Sequence, residues 1–215
     1  VMLGWNGNKM TKDQHDLYLA YKWYLDVLEE YVEMVEGPEN PIGINKQIID
    51  YAERNGTIEQ IDKYNKIYIP NDEELITTVV IDHMGLLRKT KNLPTDKQVT
   101  DDMSDKLRYA RDFYGFTPVV VSQFNRSISN PIRIKAGDVE PNLDDFKNSG
   151  NITEDSDVTI TLFDPLRYNV ADPSGYKADR LVDDRGGKCF RSLRLIKNSY
   201  GEDDLRIGLA FMGST

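Results

Sequence analysis

Two β-branched runs separated by one helix-length segment constrain this chain most. The first is Leu75-Ile76-Thr77-Thr78-Val79-Val80-Ile81, and it ends on Asp82. The second is Thr117-Pro118-Val119-Val120-Val121, and it ends on Ser122-Gln123. Strand, helix and strand in that order make a right-handed parallel unit, whose strands present their carboxyl ends on one edge. Ligands of open α/β sheets bind at that edge. The pattern therefore predicts an α/β fold with Asp82 and Gln123 side by side, a carboxylate for a hard cation and an amide for phosphate or water.

Helix signals frame the two strands. Thr11-Lys12-Asp13-Gln14 has the spacing of a capping box, and Leu17, Tyr21, Tyr24, Leu28 and Tyr31 recur at helical spacing behind it. A helix over about residues 12–31 follows, its aromatic stripe expected in the core. Val32 to Val35 reads as a short strand, and Gly37 to Pro41 as a break. Ile44, Ile48, Ile49 and Ala52 mark a second helix that stops at Asn55-Gly56. Ile67 to Pro70 is expected to lead into the Asp82 strand. Met103, Leu107, Ala110 and Tyr114 mark a third helix, closed by Gly115. Phe124 to Asn142 reads as a long loop, Leu143 to Asn148 as a short helix and Asp157 to Phe163 as a strand. Pro165 to Lys188 reads as an exposed polar excursion. Leu193 to Lys197 and Leu205 to Met212 read as two closing strands. No repeat or low-complexity tract interrupts the order.

Charge narrows the partners. The net charge of −9 argues against a protein that coats nucleic acid with its whole surface. Local exceptions lie beside the strand ends. Phe124 to Gly137 carries Arg126, Arg133 and Lys135 and no acid, and Arg88 to Lys97 carries four cations against Asp96 alone. The single cysteine, Cys189, excludes an internal disulfide and points to a reducing compartment, so a cytoplasmic protein is expected. No stretch is apolar enough for a membrane span, and no membrane partner is expected. Two histidines and one cysteine give no zinc constellation. His83 reads as a packed or capping residue, and His15 as a solvated one. The acidic clusters Glu154 to Asp157 and Glu202 to Asp204 lack the spacing of a calcium loop.

Taken together, these segments resemble the carboxyl-terminal motor domain of DnaB-type replicative helicases. Ile81-Asp82-His83-Met84-Gly85-Leu86-Leu87 resembles the family's Walker B strand and its sequel, and Val121-Ser122-Gln123-Phe124-Asn125-Arg126 its S-Q-x-N-R motif. Leu143 to Asp157 resembles the L-x-D-x-x-x-S-G-x-I-x-x-D-A-D segment, the most specific of the matches. Ile196-Lys197-Asn198-Ser199-Tyr200-Gly201 and Leu209-Ala210-Phe211 resemble the closing K-x-R-x-G hairpin.

The resemblance implies a RecA-like P-loop NTPase fold, with a mostly parallel sheet, flanking helices and a closing β-hairpin. Residues 1–215 are then one domain fragment, with 1–56 a helical lead-in and 57–215 running from the Walker B strand to the hairpin. It implies ATP and Mg2+ as cofactors and single-stranded DNA as partner, with self-association into a ring, a hexamer in the intact protein. Asp82 would bind the metal, Gln123 the γ-phosphate, and Lys197 would reach across a subunit interface. Arg126, Arg133 and Lys135 would line the DNA side. The setting implied is a bacterial cell or a phage-infected host.

Three departures qualify it. No G-x-x-x-x-G-K-[ST] is present; Gly4 to Thr11 has the wrong spacing. The family's catalytic glutamate has no counterpart. Ser199 stands where the family has an arginine that reaches the neighbouring nucleotide, leaving Arg194 or Arg206 as substitutes. The amino-terminal part of the motor is thus expected to be missing, and the chain alone to be inactive. Two other readings stay open: another RecA-like ATPase, such as a recombinase or clock-type ring protein, and a non-catalytic adaptor derived from a helicase motor.

Overall fold

The computed structural model describes residues 9–37, 39–136, 139–147, 150–168, 182, 186, 187 and 189–211. The chain forms two compact units, Val1–Gly37 and Pro38–Thr215. The first holds α1 (Lys12–Tyr31), started by the expected capping box: the Gln14 N–H donates to the Thr11 hydroxyl at 3.2 Å, and the Thr11 N–H to the Gln14 side-chain oxygen Oε1 at 3.0 Å. The core role expected of its stripe is not observed. No residue of α1 is buried, and Tyr21 and Tyr31 are 59% and 73% exposed. Helical spacing identifies the face that favours burial; it does not supply an element to bury it. Val32 to Val35 form no strand.

The second unit opens with α2 (Pro41–Asn55), where Asn40 caps the Ile42 and Gly43 N–H groups and Pro41 fills the first helical turn. An antiparallel hairpin follows, β1 (Gly56–Gln60) with β2 (Lys66–Pro70). Ile67 to Pro70 therefore belongs to this hairpin and does not run straight into the next strand. Its turn is held by Asp62, whose carboxylate accepts the Tyr64 and Asn65 N–H groups.

β3 (Thr78–Ile81), α3 (Asp96–Tyr114) and β4 (Thr117–Val120) are the strand–helix–strand unit expected from sequence. The strands pair in parallel from Thr78 opposite Thr117 to Ile81 opposite Val120. α3 has its own capping box, Thr95 with Gln98, and ends at Gly115 with φ +72°, a left-handed position suited to glycine. Its buried face, with Met103, Leu107, Ala110 and Tyr114, packs with Ile48 and Ala52 of α2, Ile81 of β3 and Phe116 in one core.

The expected loop after Gln123 contains a 3-10 turn (Arg126–Ser129) and α4 (Pro131–Ala136). The segment expected as a short helix has a 3-10 turn over Leu143–Asp145; Asn148 and Ser149 lie outside the described residues. α5 (Gly150–Asp155) leads to an antiparallel sheet of β5 (Val158–Phe163), β6 (Phe190–Asn198) and β7 (Leu205–Ala210). β5 alternates, with Thr159, Thr161 and Phe163 buried, and Phe163 joins Ile128 and Val139 in a second cluster. Of the expected excursion, Pro165–Tyr168 form a 3-10 turn, and most of the rest lies outside the described residues. Among the described strands, parallel pairing is confined to β3 and β4. No helix of the described residues is long and apolar enough to cross a membrane.

Candidate functional site

The edge where β3 and β4 end is assembled by backbone bonds. The Val121 N–H donates to the Ile81 carbonyl at 3.0 Å, and the Met84 N–H returns to the Val121 carbonyl at 3.1 Å. Residues 82–83 and 122–123 therefore leave the sheet at the same level. Ile81 is buried, which fixes the register, and Asp82 is exposed at the tip. No described residue engages the Asp82 carboxylate. The residue that meets Gln123 is His83: the amide nitrogen of Gln123 lies 3.3 Å from His83 Nε2. As expected, His83 is also a cap. It starts the 3-10 turn Met84–Leu86, its Nδ1 accepting the Gly85 N–H at 3.1 Å.

The chain beyond Gln123 is stitched to residues 144–147. Lys147 N–H donates to the Gln123 carbonyl at 2.9 Å, Asn125 N–H to the Asp145 carbonyl at 2.6 Å, and Phe124 bridges Phe146. The Asn125 side chain donates to the Asp144 carbonyl and accepts the Ser127 N–H. Asp145 is the residue that sequence reasoning missed. Only 2% exposed, it accepts from Arg133 at 2.6 Å, from the Asn142 N–H at 2.9 Å and from the Ser127 hydroxyl at 3.2 Å. Burial raises the pKa of such a carboxyl. Here the bonds from Arg133, Asn142 and Ser127 outweigh burial and hold it below the usual carboxylate range. Its signal lay in the quoted motif: Asp145 is the acid of L-x-D-x-x-x-S-G, a spacing that marks the residue but not the cation it meets.

The expected DNA-side cations thus divide. Arg133 is committed to Asp145 and to the Glu140 carbonyl at 3.1 Å, because a buried carboxylate requires a partner. Arg126 and Lys135 are exposed. Lys197 donates to the Thr153 and Glu154 carbonyls, both at 2.8 Å, and so caps the carboxyl end of α5. Arg194 and Arg206, opposite each other on β6 and β7, share Asp204 at 2.6 and 3.6 Å, and Arg206 also meets Glu140 at 3.4 Å.

Among the described residues no group of three or more His, Cys, Asp or Glu side chains comes together to hold a metal. A cation at Asp82 would rest on one protein carboxylate and its own waters, which suits magnesium, since it dehydrates reluctantly.

The profile of the DnaB-like helicase C-terminal domain matches residues 38–206, most of the chain. The chain belongs to that family. Relatives agree: it is 29% identical over 104 residues to the replicative DNA helicase DnaB of Mycobacterium leprae (strain TN), covering 48% of this chain and 16% of that protein. Against the DnaB of Leifsonia xyli subsp. xyli (strain CTCB07) the identity is 27%, over 48% of this chain and 22% of that protein. The chain thus spans a minor part of the length of the helicases it matches.

The fold agrees as well. It is similar to a DnaB-like replicative helicase solved in a study of its interactions with primase, at TM-score 0.54 and 16% identity over 83% of this chain and 34% of that one. It is also similar to a second solved protein, an ATPase domain, at TM-score 0.55 and 18% identity over 81% of this chain and 49% of that one. The α/β architecture is therefore RecA-like, and the family uses nucleotide and magnesium in general.

Proposed function

We propose that this chain is the nucleotide-sensing and DNA-coupling part of an ATP-driven, ring-forming DnaB-type motor that moves on single-stranded DNA during replication. In this reading residues 38–215 are one piece of the motor domain, the ring is a hexamer, and the setting is the cytoplasm of a bacterium or a phage-infected host. One observation supports it: Asp82 and Gln123 follow the ends of the parallel strands β3 and β4, and the chain leaving Gln123 is bonded directly to the Asp145–Arg133 pair.

Asp82 is the carboxylate that would hold magnesium through water. Bound magnesium-ATP supplies the phosphoanhydride whose hydrolysis drives the motor. Gln123 cannot act as a base, because its amide does not titrate; its contribution is geometric. A displacement at Gln123 passes to Phe124 and Asn125, and through Asp145 to Arg133 and α4. Arg133 then positions the loop from within, while Arg126 and Lys135 face DNA phosphates. Positive loops along a tracked backbone match the electrostatics of single-strand binding. Lys197 would exchange the carbonyls at the end of α5 for a neighbouring subunit's phosphate.

The test is Gln123→Ala in the intact motor, with ATP hydrolysis measured at saturating ATP with and without single-stranded DNA. The expected result is loss of DNA stimulation, with basal hydrolysis less affected. A variant that keeps its full stimulation ratio would show that Gln123 only caps a strand.

A further inference from the structure

Two contacts at one imidazole determine more than a cap. The backbone N–H of Gly85 donates to Nδ1 of His83 at 3.1 Å, so that nitrogen presents a lone pair and carries no proton. A ring with Nδ1 unprotonated carries its proton on Nε2, and Nε2 is then a donor. The atom 3.3 Å from Nε2 is the amide nitrogen of Gln123, also a donor. Two donors do not bond. The oxygen and nitrogen of a carboxamide are interchangeable in outline, and the hydrogen-bond network decides between them. Half a turn about the last side-chain bond puts the Gln123 oxygen on the ring N–H and satisfies both groups.

We propose that His83 is a positioning residue for Gln123: its Nε2–H holds the Gln123 side-chain oxygen and leaves both amide N–H groups for a phosphate oxygen. This rests on the function proposed above and deepens it. With its oxygen occupied, Gln123 serves the nucleotide as an N–H donor and does not orient water through its carbonyl. A purely structural role would not require histidine. Capping Met84–Leu86 needs one acceptor at Nδ1, which asparagine, aspartate or serine also supplies at such a position. Histidine adds a second, rigidly opposed nitrogen that reaches the neighbouring strand. Gly85 suits the arrangement, since a Cβ there would lie 3.0 Å from the ring's Cε1 and Nδ1.

Two measurements test it. In the isotopically labelled chain, long-range proton–nitrogen correlation reads the tautomer of each ring. With two histidines in the sequence, His83→Asn assigns the signals. A protonated Nε2 with a bare Nδ1 at His83 is expected; a ring protonated on Nδ1, or one averaging between tautomers, overturns the proposal. In the intact motor, His83→Asn keeps a capping oxygen but loses the N–H aimed at Gln123. Its DNA stimulation ratio should fall to that of Gln123→Ala. Full stimulation in His83→Asn overturns the proposal whatever Gln123→Ala does. Full stimulation in Gln123→Ala alone overturns the function reading, and the tautomer still decides the contact.

Discussion

At the scale of single residues, the deepest commitment is Asp145 to Arg133. Its carboxyl has a lower pKa folded than unfolded, so as pH falls the unfolded chain takes up the proton first. The stabilisation is complete above the unfolded value, about pH 4, and is lost as pH falls through the folded value. Asp145→Asn removes the carboxylate charge that Arg133 meets at 2.6 Å in a mostly buried site. It should cost about 3 kcal/mol at neutral pH. Urea midpoints at about pH 7 and about pH 3 check this: the gap between the proteins should narrow in acid. An equal gap at both values would mean that Asp145 is not the titrating group. His83, Asp145 and Gln123 were each visible as letters. Only Gln123 shows its place at the site in the sequence, because a strand tip is a sequence property and a cross-strand neighbour is not.

At the scale of elements, the segment after β4 departs furthest from its sequence reading. It reads as loop because it is polar and contains Pro131, yet Asn125 and Asn130 each cap a short helical piece. Those caps, with the Arg133 anchor, give the exposed Arg126 and Lys135 defined places on a folded surface. If both touch phosphates, neutralising them in the intact motor should weaken binding to all single-stranded sequences alike. The log–log salt slope should fall by about 0.7 for each phosphate no longer neutralised. Fluorescence titration of a labelled oligonucleotide at several salt concentrations measures it, and an unchanged slope would reduce both to ordinary surface charge. Arg133 should not add to this slope, since its charge is already committed to Asp145.

At the scale of the whole second unit, the sheets carry apolar surface that nothing described covers. Val80 and Val119 are cross-strand partners and are 61% and 44% exposed. On the other sheet, Ile160 lines up with Leu195 and Leu205, and Leu162 with Leu193 and Ile207. A groove of about 540 Å³ separates the two sheets, lined by Val119 and Val120 of β4 and Val158 and Ile160 of β5. Monomers seldom leave patches of this kind open. The purified chain should therefore enhance the fluorescence of an apolar dye, and Ile160→Lys with Ile207→Lys should reduce the enhancement. A dye-silent parent protein would show that these faces are covered in solution.

The sequence by itself determined the elements whose causes are local. The capping box at Thr11, the stop at Gly115 and the β-branched runs of β3 and β4 all act within a few residues. The motif resemblance was legible for the same reason, being a matter of spacing. What only the tertiary structure decided depends on partners distant in sequence. It sets Gln123 against His83, forty residues away, and buries Asp145 under Arg133. It also leaves the α1 stripe exposed and places Ile67 to Pro70 in a hairpin with β1. A hydrophobic period states which face of an element favours leaving water. The fold determines what, if anything, covers that face, because burial belongs to pairs of surfaces and a sequence pattern describes one surface of each pair.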